Sequence, residues 1–119
     1  MTVFFPVIEL IDRYAIALLK FEKTQANQEE LDFYAGQLSN FDTNQVMDEF
    51  AQLCNIHRKI WSLEAELKSG RESELSLADI GSRAIQIRNH NNSRIALKNL
   101  IAEKLGCRIR EIKQDHLSE

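Results

Sequence analysis

Apolar residues along this chain recur at three- and four-residue steps, the spacing of one face of a helix, and rarely alternate as a strand would require. From Val7 to Lys23 they form two stripes: Val7, Ile11, Tyr14, Leu18 and Phe21, and beside them Ile8, Ala15, Ile16 and Leu19. Only Glu9, Arg13 and Lys20 are left as a polar strip, so this helix is expected at the centre of a bundle or inside an oligomer. Pro6 stands just before it, where a missing N–H costs nothing. A short helix follows over about 27–39, opened by an Asn27–Glu30 capping box, with Leu31, Tyr34, Ala35 and Leu38 on one side. Asp42 or Thr43 caps a long helix over 43–68, whose stripe reads Val46, Phe50, Leu53, His57, Ile60, Trp61, Glu64, Leu67. Ser69–Gly70 stops it.

Ser76, with Asp79 three residues on, opens the last helix, over 76–105, and Gly106 ends it. Its expected inner face carries Leu77, Ile80, Ala84, Ile87, Asn91, Ile95, Lys98, Ala102 and Leu105, while Ile85, Leu97 and Leu100 point elsewhere. That is more apolar surface than a monomer should leave in water, and a homodimer accounts for it. Residues 3–5 and the tail over 107–119 read as short extended segments. The pattern as a whole predicts an all-α helical bundle, three long helices and one short, forming one domain over residues 1–119.

Polar residues interrupt these stripes in a few places. Asp12 lies between Ile8, Ile16 and Leu19; His57 and Glu64 are centred on the stripe of the long middle helix. Asn91 and Lys98 are centred on that of the last helix, with Arg88 and Arg94 at its edges. Burying such groups unpaired costs several kcal/mol each, so they should meet one another, a ligand or water. If the two long helices run antiparallel across the 69–76 turn, His57 falls level with Arg88, and Glu64 nearer Gly81 and Ala84. Asp12, His57, Glu64, Arg88, Asn91, Arg94 and Lys98 are therefore the candidate site: an internal network that sets helix register, or a pocket for a small anion. The run Asn89-His90-Asn91-Asn92-Ser93 adds five mediocre helix formers in mid-helix while the periodicity continues through them. Such a conflict between local preference and global pattern tends to mark a functional or strained place.

Charge changes the picture only in its distribution. The net charge of −3 hides a split. Residues 1–82 carry seven Lys/Arg against fourteen Asp/Glu, residues 83–113 eight against two, and the last six residues add two acids. Either the basic segment faces an anionic partner, or the last helix packs on acidic helices of its own chain; the acidic total favours the second. Nucleic-acid binding through Arg88, Asn89, Asn92 and Arg94 is the weakest reading, since Arg88, Asn91 and Lys98 share the apolar stripe. Cys54 and Cys107 have neither a CxxC partner nor a histidine at ligand spacing, so free thiols, a cytoplasmic setting, and no metal or cofactor are expected. No apolar run approaches the ~20 residues of a membrane span, and Glu9 and Asp12 break the only candidate for a secretory signal.

Three segments carry a family likeness. Glu9-Leu10-Ile11-Asp12-Arg13, with Lys20 just after Leu18-Leu19, then Asn55, Ile60-Trp61 and Glu64, and finally Asn91-Asn92-Ser93-Arg94-Ile95-Ala96-Leu97-Lys98 with Glu111-Ile112-Lys113 resemble a small bacterial all-helical family of uncharacterised function. The resemblance implies a helical domain sometimes encoded beside glycosyltransferase and surface-polysaccharide genes. Ala65 stands where the family has a second acid, and Asn92 where it has an Asp, which argues against a paired-carboxylate metal site. Ile11-Asp12-Arg13 leading to Leu18-Leu19-Lys20 also looks somewhat like the opening of the all-helical chorismate mutases, but the arginine expected early in that helix is absent. Helical nucleotide pyrophosphohydrolases need an acidic block that this chain lacks upstream of Glu9 and Asp12. The sequence thus favours a non-catalytic homodimeric accessory protein that docks on a partner, with a small-anion binder or enzyme as the alternative.

Overall fold

The computed structural model describes residues 6–68 and 75–106, which form α1 (Val7–Thr24), α2 (Gln28–Leu38), a single 3₁₀ turn (Asn44–Val46), α3 (Met47–Lys68) and α4 (Leu77–Lys104). The described chain is an all-α bundle of three long helices and one short. The segments read as extended, residues 3–5 and 107–119, lie outside the described residues, as does Cys107.

The double apolar stripe of α1 places it at the centre: between Val7 and Phe21 only Arg13 is exposed. Ile8, Ile11 and Ala15 meet Val46 and Leu53 from the α3 side and Leu97, Ile101 and Ala102 from α4, and this is the core. α1 ends with Gln25 in the left-handed region (φ 55°), its N–H bonded to the Phe21 carbonyl.

The caps are mixed. Ser76 opens α4 as its sequence predicts, its Oγ accepting from the Asp79 N–H at 3.0 Å. Gly106 takes the left-handed conformation (φ 66°) that ends it. The Asn27–Glu30 capping box does not form. Asn27 turns toward α1, donating through Nδ2 to the Ala17 carbonyl and to Glu30 Oε1, both at 3.0 Å, and so fastens α2 onto α1. Asn44 donates its backbone N–H to Asp42 Oδ1 at 3.1 Å, and the Thr43 carbonyl accepts from the Val46 N–H, also at 3.1 Å, to start the 3₁₀ turn that leads into α3.

α4 departs from its expected face. Leu97 and Ile101 are buried with Ala102, whereas Ala84 is exposed and Leu77 is 87% exposed. The helix is rotated toward Leu97 and Ile101, because from Asn91 to Ala102 the expected stripe offers Ile95 as its one large apolar side chain, the others being Asn91, Lys98 and Ala102. Ile85 and Leu100 do point to solvent, 51% and 44% exposed. α4 runs unbroken through Asn89–Ser93, although those five residues cost roughly 0.5 kcal/mol each against alanine.

Ion pairs fix the register of α3 against α4. A symmetric hairpin about the 69–76 turn would set Glu66 level with Asp79. Instead Glu66 Oε2 accepts from Arg83 Nε at 2.9 Å, one helical turn further along, and Glu49 is bonded to Lys104 at the other end. His57 consequently lies level with Arg94, not Arg88.

Candidate functional site

The interruption in the second stripe of α1 is the centre of the site. Asp12 is 5% exposed, and both of its carboxylate oxygens are engaged. Oδ1 pairs with His57 Nε2 on α3 at 2.9 Å; Oδ2 accepts from Arg94 Nη1 on α4 at 3.1 Å and lies 3.5 Å from Lys98 Nζ. An ionised carboxylate can only accept, so the His57 proton on this side sits on Nε2. Lys98, one turn beyond Arg94, reaches back to α1 and donates to Glu9 Oε1 at 2.9 Å. Two carboxylates of one helix face thus hold two cations and an imidazole from the two helices packed against it.

Burial pushes the Asp12 carboxyl up, but the His57 hydrogen bond and the nearby Lys98 and Arg94 cations outweigh it and hold the carboxyl below its ordinary value of 3.8. A pKa lower in the folded than in the unfolded chain means the unfolded chain binds more protons in acid. The stability Asp12 contributes is therefore complete above about pH 4 and is lost as pH falls through the folded value. Urea midpoints measured at pH 6 and pH 3 should fall further for the wild type than for Asp12→Asn; an equal fall would remove Asp12 from the acid response.

Of the seven residues singled out in the sequence, the structure joins four: Asp12, His57, Arg94 and Lys98. Arg88 is exposed, and neither it, half-buried Asn91 nor half-buried Glu64 has a hydrogen-bond or ionic partner among the described residues. The ionic contacts of α1 with α3 are made at His57 and Arg58, the latter bidentate to Glu22, and Glu64 lies about two turns past them. Glu9, counted as part of the outer polar strip, belongs to the network instead. Its signal was present: it is three residues before Asp12, hence on the same side of α1.

The arrangement limits the chemistry. Arg94 and Lys98 each already face a carboxylate, and Arg83 and Lys104 are likewise paired, with Glu66 and Glu49. The basic character of α4 is thus directed at the acidic helices of its own chain, and among its described cations only Arg88 has no partner. Cys54, one turn before His57, makes no hydrogen bond to it, and burial pushes the thiol up, opposite to what an activated nucleophile needs. Among the described residues no group of three or more His, Cys, Asp and Glu is placed to hold a metal ion. None of the described helices is long and apolar enough to cross a membrane.

A second concavity, a cleft of about 410 Å³, opens between α1, the end of α2 and the start of α3, with Tyr14 stacked on Phe50 at 5.8 Å and Phe41 and Met47 among its lining. No charged side chain lines it, and Ile11 and Tyr14 lie on the side of α1 away from Glu9 and Asp12, so it is not part of the polar cluster.

Lys98→Met removes one charge and leaves Asp12 with His57 and Arg94. A loss of about 1–3 kcal/mol in urea unfolding is expected, the range for hydrogen bonds to charged groups. A loss as large as that of removing Asp12 itself would mean that Lys98, not Asp12, is the hub.

Compared with protein-family models, curated proteins and solved structures, the chain matches none, so the site must be read from its own geometry.

Proposed function

We propose that this chain is a non-catalytic, homodimeric accessory protein of the cytoplasm that presents helical surface to a protein partner. The observation that carries this reading is the internal pairing of the polar cluster: Asp12, Glu9, His57, Arg94 and Lys98 are bonded to one another across three helices, as in a network that sets packing register. Support also comes from the exposed Leu77, Ile85 and Leu100 of α4 and Phe33, Phe41 and Met47 elsewhere, since exposed large apolar side chains are candidates for protein contact. The family resemblance points to a partner among bacterial glycosyl-transfer or surface-polysaccharide enzymes.

A small-anion binder is the second reading, and one observation favours it. Arg94 Nε is buried without a hydrogen-bond partner while the side chain keeps 23% of its surface exposed, leaving part of a guanidinium unused. Thermal melts of the wild type against a panel of anionic metabolites separate the two. The accessory reading expects no shift. A rise in melting temperature that disappears in Arg94→Lys would overturn it in favour of an anion site.

A further inference from the structure

The cleft between α1, the end of α2 and the start of α3 has no part in the polar cluster, and its lining is unusual for a surface. Its floor reaches the core, since Ile11 and Val46, both lining it, are 2% and 1% exposed. Phe41 and Met47 also line it and are 47% and 63% exposed, apolar surface left in water beside a concavity. Tyr14 and Phe50, their rings stacked 20° apart, form an aromatic wall. Three polar side chains in the lining have no hydrogen-bond partner among the described residues: the Tyr14 hydroxyl, the Thr43 hydroxyl and the Asn44 amide. Tyr14 and Thr43 are half-buried, and a buried tyrosine hydroxyl ordinarily finds a partner.

We propose that this cleft binds one uncharged small molecule with a flat apolar body and a single hydroxyl or carbonyl group. A concavity lined mainly by apolar and aromatic side chains, with a few polar groups that fix orientation, is the usual form of a small-molecule site, and about 410 Å³ falls within the usual size range. A dry protein cavity of about 150 Å³ holds benzene, so this volume suits a body of about two fused rings. The cleft is too short to seat a helix. It spans one turn of α1, from Ile11 to Tyr14, and about one turn of α2, from Ala35 to Ser39, each roughly 5 Å long. A docked helix needs anchors at i, i+3 or i+4, and i+7, over about two turns. Charge sets the remaining condition. No charged side chain lines the cleft, so an ionised ligand would leave water without a counter-charge. The ionisable residues between Phe41 and Phe50 are Asp42, Asp48 and Glu49, all acids, which disfavours an anion in particular. The ring body packs on the Tyr14–Phe50 wall and its polar group meets the Tyr14 hydroxyl. The site shares no residue with the polar cluster, so its failure would leave the accessory reading untouched.

The probe is 2-naphthol, added to the full chain and followed by isothermal titration calorimetry and by nuclear Overhauser effects in NMR. One molecule should bind per chain, with Overhauser contacts from its ring protons to the methyl groups of Val46 and Met47. Tyr14→Phe keeps the ring and removes the hydroxyl, and should weaken binding roughly two- to tenfold, the worth of one hydrogen bond. The charged analogues 2-naphthoate and 2-naphthylmethylammonium should each bind at least about tenfold more weakly than 2-naphthol. Absence of saturable binding, or contacts that fall elsewhere on the chain, overturns the site. Equal affinity for either charged analogue overturns the uncharged class, and an unchanged affinity in Tyr14→Phe overturns the polar anchor. Shifts of the Met47 methyl that grow with protein concentration alone would assign the cleft to a second copy of the chain and overturn the small-molecule reading.

Discussion

Asp12→Ala is expected to lower the unfolding free energy by about 3–5 kcal/mol in urea at neutral pH, enough to unfold a marginal domain near physiological temperature. The alanine itself is harmless in a helix; the loss lies in what remains. Arg94 would keep its charge in a half-buried position facing a methyl group, and His57, 8% exposed, would lose the acceptor for its Nε2 proton. Removing one partner of a buried ionic group costs more than the group contributes net, because the stranded charges keep their desolvation penalty. Replacing the whole network tests this account. The combination Asp12→Leu, His57→Leu, Arg94→Met should recover most of the stability lost by Asp12→Ala alone, since no charge is then stranded at the centre. If the combination is as unstable as the single variant, the cost comes from shape, and the electrostatic account fails.

The helices were legible in the sequence because their apolar spacing is dense, above all in α1, where two adjacent stripes leave Arg13 as the sole exposed residue up to Phe21. The centre of the site was legible for a related reason: Asp12, His57 and Lys98 interrupt stripes, and a polar group at an inward position must find a partner. What a linear pattern does not contain is the register between helices that meet far apart in the chain. Glu66 bonds to Arg83 one turn beyond the symmetric position, and that displacement separates a network through Arg94 from the expected one through Arg88. Glu9 was overlooked because an acid at the border of a polar strip looks solvated until the reach of Lys98 from another helix is known. The Glu49–Lys104 pair was hidden in the same way, since neither residue breaks a stripe. Asn27 shows a local limit: its spacing to Glu30 suits a capping box, yet the side chain also reaches the Ala17 carbonyl ten residues earlier, and that contact decides its orientation.

The rotation of α4 gives the second large effect. Leu100 and Ile101 are neighbours of similar size, but Ile101 is wholly buried in the core and Leu100 is 44% exposed. Ile101→Ala should cost about 2–5 kcal/mol, the range for deleting a large aliphatic side chain from a packed core, because Ile8, Ile11, Leu53 and Leu97 around it cannot all collapse into the space. Leu100→Ala, measured at concentrations where the chain is monomeric, should cost less than about 1 kcal/mol, mostly as lost partial burial. On the face read from the sequence, centred on Ile95, Lys98 and Ala102, Ile101 lies only at the edge of the stripe and Leu100 points away from it, so Ile101→Ala would cost little more than Leu100→Ala. Equal costs in urea would return α4 to that rotation, release Leu97 from the core, and turn Arg94 away from Asp12. A several-fold larger loss at Ile101 ties the packing of α4 to the same rotation that delivers Arg94 and Lys98 to the acids of α1, so the core and the polar cluster fix one another.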